Sequence, residues 1–166
     1  MNRSLLALSL LACLPAFSAE GLDRIAAYAG NWKITTEHLD TPFSKAGKES
    51  TTLHNDCWRS AGFYACNQFV DGESKALIVF TYNAKEDVYT TYPIPAGGGQ
   101  PGSGKLIIRG NEWTYPWESV EGGKTTFFRV VNVFTAPDAI EYRQEFSTDR
   151  SHWTLMARGS EKKERP

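Results

Sequence analysis

The sequence predicts an all-β fold: about ten antiparallel strands in an up-and-down meander, closed into a barrel, with a short N-terminal helix covering one end. Three observations lead there. β-branched and aromatic residues recur in strand-length runs separated by turn chemistry such as Asp71-Gly72, Gly110-Asn111 and Gly122-Gly123. The connections leave no gap for a crossover helix, so consecutive strands must pair antiparallel. A meander this long most economically closes on itself, because closure removes exposed edges, whereas a two-sheet sandwich needs longer Greek-key connections.

The bulk properties agree with one globular domain. The 166 residues carry 18 Lys+Arg against 19 Asp+Glu, a formal net charge of -1. No basic surplus is available for a nucleic-acid surface, and no highly charged disordered tail is indicated.

The chain begins with Arg3, a Leu-rich run from Ser4 to Leu14, and the small-residue exit Pro15-Ala16-Phe17-Ser18-Ala19. These are the three regions of a secretory leader, cut after Ser18 or, less suitably, Ala19. Residues 1–18 are therefore expected to be removed and 19–166 to form a single barrel domain. Spanning a bilayer needs about 20 apolar residues, and this run is shorter, so no integral membrane segment is expected. Leu10-Leu11-Ala12-Cys13 also resembles a lipoprotein box, but apolar residues continue from Leu14 to Phe17 past the cysteine.

Loss of the leader leaves Cys57 and Cys66, and two cysteines in an exported chain predict one disulfide. A turn centred on Ala61-Gly62 sets them opposite each other at a non-hydrogen-bonded position, where strands are closest. No C-x-x-C spacing supports a redox-active dithiol. Upstream, Leu22, Ile25, Ala26 and Ala29 form one apolar helix face ending at Gly30. Strands are expected over 31–39, 49–58, 63–70, 75–83, 87–92, 105–109, 112–120, 125–135, 140–148 and 153–160, followed by a solvated tail from Glu161 to Pro166. A turn at Pro137 should oppose Arg129 to Glu145 and Asn132 to Tyr142 on a solvent face.

A helix leading into Gly30-x-Trp32, Cys57, Cys66, the Phe80-Thr81-Tyr82 strand, Trp113 and the Ser147-Thr148-Asp149 to Trp153 turn occur in an order that resembles the lipocalin-like barrels of the calycin group. More closely, the mature chain is similar to a family of exported bacterial lipocalin-like domains of unknown function. The resemblance implies that Trp32 plugs one end of the barrel and that Arg158, from the final strand, packs over it. Haem-binding relatives resemble Gly-x-Trp-x-Gly-x-Gly; Lys33-Ile34-Thr35-Thr36 follows Trp32 here, so no cofactor is expected.

Strand parity places the connections 40–48, 71–74, 93–104, 121–124 and 149–152 at the end away from Trp32. Counted inward from Trp32, the residues expected to line the upper lumen are Thr36, His38, Phe69, Tyr92, Trp117, Phe146 and Trp153. Large aromatic side chains either fill a small barrel or line an apolar-ligand site.

No catalytic or metal constellation emerges. Gly99 to Lys105 approaches a phosphate-binding loop, but Leu106 stands where Ser or Thr should hold magnesium, and a strand follows instead of a helix. His38, His54 and His152 show no metal-ligand spacing, and His54-Asn55-Asp56 reads as an exposed strand segment. Ser147, Asp149, Ser151 and His152 crowd one hairpin without an oxyanion site. The expected function is non-enzymatic binding of a small apolar or amphipathic molecule by a periplasmic or secreted monomer or weak dimer. The alternative is a filled barrel whose upper loops, including Pro93-Ile94-Pro95-Ala96, contact a macromolecular partner.

Overall fold

The computed structural model describes residues 21–164, so the expected leader, its cut and Cys13 lie outside the described residues, as do Arg165 and Pro166. A 3-10 helix, Gly21–Tyr28, leads into β1 (Gly30–His38), β2 (Gly47–Arg59), β3 (Tyr64–Val70), β4 (Glu73–Asn83) and β5 (Val88–Pro95). Then follow β6 (Gly104–Arg109), β7 (Glu112–Glu121), β8 (Lys124–Ala136), β9 (Ala139–Ser147) and β10 (Thr154–Lys163). Each strand pairs with its sequence neighbours, and β10 returns to pair with β1, closing the barrel. No helix among the described residues is long and apolar enough to cross a membrane.

The helix differs from the expected one because its turn is tighter. At three residues per turn, Leu22, Ile25 and Tyr28 share an edge, whereas the α-helical spacing selects Ala26 and Ala29. Ile25 and Tyr28 are buried and Ala26 is exposed. The helix is fastened through its carbonyls: the Tyr28 carbonyl accepts from Trp32 Nε1 at 3.0 Å and from Asn55 Nδ2 at 3.2 Å, and the Gly21 carbonyl accepts from the Tyr89 hydroxyl at 2.6 Å. Gly30, at φ 109°, turns the chain into β1 in a conformation that a side chain would resist.

This end of the barrel is filled. The Tyr28 ring meets Trp113 edge-on at 4.7 Å and lies 5.7 Å from Phe134, while Trp32 is fully buried. Cys57 and Cys66 are disulfide-bonded at directly opposed positions of β2 and β3. Closing that short loop contributes about 2 to 3 kcal/mol in the chain-entropy view.

The wall is not continuous. Pairing of β6 with β7 stops at Ile107↔Thr114, although β7 runs on to Glu121, and β5 runs to Pro95 beyond its last β6 pair, Thr91↔Gly104. Pro116 lies on this stretch, where β7 pairs with β8 but no longer with β6, an edge that tolerates a residue without an N–H. A cleft of about 860 Å³ opens here, lined among others by Lys105, Trp117 and Phe128.

A candidate ligand cavity in the lumen

Register decides which side chains face the lumen. Trp32 pairs with Leu53 of β2, which turns Leu53, Asn55 and Cys57 inward, and Cys57↔Cys66 then turns Gln68 inward. Phe69, expected inside, therefore lies on the outer face, its ring 5.7 Å from that of exposed His54. The Phe80↔Thr91 pair likewise turns Thr91 inward and leaves Tyr92 outside. Trp153 is also outside, beneath the Arg129 guanidinium at 3.9 Å, because an irregularity between Leu155 and Ala157 reverses the parity of β10. One residue of slip exchanges the two faces of a strand, and loop length alone does not specify that residue.

The other four expected residues do lie on the inner face or its rim. Thr36 is buried and its hydroxyl bonds that of Tyr142. His38 sits at the rim, Nε2 3.0 Å from Glu49 Oε1. Trp117 stacks on Phe128 at 5.4 Å, and Phe146 meets Phe43 at 4.8 Å. Phe43, from the connection between β1 and β2, also meets Phe128 at 5.1 Å and so caps this aromatic rim from above. Its place in a long loop carried no periodic signal.

Arg158 does not pack on Trp32. It lies opposite Glu37 on the outer face and binds its carboxylate at 2.7 and 2.8 Å, holding the Glu37 pKa below the usual carboxylate range. β10 runs three residues past the expected end at Ser160, so the partner of Trp32 is Lys163, whose Nζ lies 5.1 Å from the indole centroid. Gly159 faces inward on this strand: a Cβ there would come within 2.1 Å of the Thr35 carbonyl and 2.6 Å of the Tyr142 ring. The glycine lets Tyr142 cross the strand to reach Thr36.

Between the filled base and the aromatic rim lies a cavity of about 340 Å³. Leu53, Ile78, Phe80 and Val130 supply apolar wall; Tyr28, Tyr115, Asn132 and Glu161 supply a polar region. Asn132 is only 7% exposed; its Nδ2 donates to the Tyr28 hydroxyl at 2.7 Å, while its Oδ1 is buried without a partner among the described residues. Asn132 and Tyr142 thus pair as the hairpin predicts, but on the lumen face; Arg129 and Glu145 pair on the outer face at 2.6 Å. Glu161 is not in a solvated tail. It is an inward residue of β10, 9% exposed, and desolvation raises its pKa from 4.5 to about 7. Burial also holds the Tyr28 and Tyr115 phenols well above 10.

The serine, aspartate and histidine of the last hairpin form a turn, not a catalytic relay. Asp149 accepts from the Ser147 hydroxyl at 3.0 Å and from the Ser151 and His152 amides, and its other oxygen meets His152 Nδ1 at 2.7 Å. Serine and histidine both engage the aspartate, so no base is aimed at a nucleophile. Gly104 opens β6, so no helix N-terminus follows the glycine-rich loop, and among the described residues no three metal-ligating side chains converge. The fold and cavity define a closed ten-stranded β-barrel with a polar group of side chains inside its lumen. No protein-family model matches the chain, and no curated protein matches it.

Proposed function

We propose that this chain is an exported, lipocalin-like binding protein that carries a small amphipathic molecule in its lumen and performs no catalysis. The observation that carries this reading is a cavity of about 340 Å³ with apolar walls and an amide oxygen, Asn132 Oδ1, left without a partner. Small-molecule sites have this form: mostly apolar, with a few polar groups that orient the ligand, in volumes from about 300 Å³ upward. Each methylene moved from water into such a space contributes about 0.8 kcal/mol. The gap beyond Ile107↔Thr114 and the rim at Trp117 are the entry route in this reading. The disulfide supports an oxidising compartment, periplasmic or secreted. Trp32 in the filled base fits the plug of lipocalin-like barrels, with Lys163 over the ring.

Protein purified from its native host should retain a ligand detectable by native mass spectrometry and should bind a lipophilic dye that competitors displace. Failure of both, together with an experimental structure in which the lumen is packed solid, removes the proposal. The exposed Ile94, Trp117 and Val120 favour the second reading, in which the rim docks a macromolecule. That reading gains if substitutions at the rim abolish a partner's binding while the lumen binds nothing.

A further inference from the structure

Many acids on the outer face are matched with cations. Glu145, the most sheltered of those in ion pairs, takes Arg129 at 2.6 Å and Arg143 at 3.4 Å; Glu37 takes Arg158 and Lys48. Glu161 is 9% exposed, and its side chain makes no hydrogen bond or ion pair among the described residues. Lys163, two residues on along the same inner face, is directed over Trp32 instead. A buried carboxylate without a counter-charge is costly, and such groups persist mainly where they act on a ligand.

The chemistry around Glu161 narrows that ligand. The titratable groups influencing or flanking it are Tyr28 from the helix, Tyr115 from β7 and Tyr142 from β9, with Lys163 on its own strand. β1 presents Ile34, β2 Asn55 and β8 Asn132, none of which titrates. The Asn132 amide is held by Tyr28, which fixes its nitrogen there and leaves Oδ1 as an open acceptor on the same cavity as the carboxyl. Two acceptors without donors call for one group with several N–H donors and a positive charge, which describes an ammonium.

We infer, building on the lumen-binding reading, that the cavity selects amphipathic amines, the ammonium lying between the Glu161 carboxylate and Asn132 Oδ1 and the alkyl part against Ile78, Phe80 and Val130. Bringing a cation to Glu161 lowers its proton affinity, so binding near pH 6 should release a proton, and affinity should rise with pH through about 7.

The test is titration calorimetry of the mature chain with octylamine, octanol and octanoate at pH 6 and pH 8. At pH 8 octylamine should bind at least about tenfold more tightly than octanol, as charge-assisted hydrogen bonding requires, with octanoate weakest. Glu161→Gln should remove the amine's advantage while leaving octanol affinity nearly unchanged and the urea midpoint at pH 4 nearly unchanged. Equal binding of amine and alcohol, or tighter octanoate, overturns the inference and leaves lumen binding standing. Binding by none of the three overturns both.

Discussion

The two ends of the barrel are built from different interactions. At the base, Tyr28 and Gly21 offer carbonyls to Trp32, Asn55 and Tyr89, and the rings of Tyr28, Trp113 and Phe134 close the space with directed bonds and full burial. At the rim, Phe43, Trp117, Phe128 and Phe146 meet ring to ring, with Phe43 45% and Trp117 48% exposed, and the strand ladder beside them is open. A directed hydrogen bond inside a dry core resists displacement because losing it leaves an unsatisfied group, whereas exposed ring contacts part at little cost. The base therefore supplies most of the stability, and in the proposed function the rim supplies access.

The largest test of that contrast is Trp32→Ala. It removes a fully buried indole at the base and should cost about 3 to 5 kcal/mol, read as a fall in the urea midpoint. A nearly silent Trp32→Ala would reverse the assignment of the ends.

Next in size is the lumen acid. Folding raises the Glu161 pKa from 4.5 to about 7, so the folded state holds the proton more tightly than the unfolded chain. The group is stability-neutral below about pH 4.5, and its cost grows as pH rises, levelling above about 7 at roughly 3 kcal/mol. Glu161→Gln should thus stabilise the ligand-free protein by about that amount at pH 8 and scarcely at pH 4, the difference between the two proteins cancelling other titrations. A difference that does not change with pH would place the carboxyl in water.

Tyr28→Phe keeps the ring contacts with Trp113 and Phe134 but takes the partner from Asn132 Nδ2, whose Oδ1 already lacks one. The expected cost is about 1 to 3 kcal/mol, and adding Asn132→Leu should recover only part of it, since removing both polar partners is milder than removing one but the buried Tyr115 hydroxyl has lost its bond to Tyr28 as well. Smallest of all, deleting Gly97 to Gly99 from the exposed connection between β5 and β6 should move the midpoint by a few tenths of a kcal/mol, roughly, because loop closure depends weakly on length. A loop deletion more damaging than Trp32→Ala would mean that the rim, not the base, holds the barrel together.

How much of the site could be read beforehand follows the same division between local and non-local geometry. Thr36 and Phe146 lie inside as expected, yet the residues that make the cavity distinctive carry no inward signal: in the sequence pattern Asn132 is a solvent-face pair member, Tyr28 belongs to no helix face and Glu161 begins a tail. Nothing in Gly159-Ser160-Glu161-Lys162-Lys163 marks a buried acid, because charged residues this dense normally face water.

The sequence by itself determined the number and order of strands, the Cys57–Cys66 bridge and the Arg129–Glu145 and Asn132–Tyr142 pairs. In each case a short turn sits between the partners, and turn geometry sets hairpin register within a few residues. Only the tertiary structure decided that Gln68 and Thr91 face the lumen while Phe69, Tyr92 and Trp153 do not, that Lys163 rather than Arg158 covers Trp32, and that Glu161 is buried. Those outcomes depend on the β1 to β2 register across a long loop, on the irregularity in β10 and on the seam joining β1 to β10, whose paired residues stand more than a hundred positions apart, beyond the reach of any local pattern.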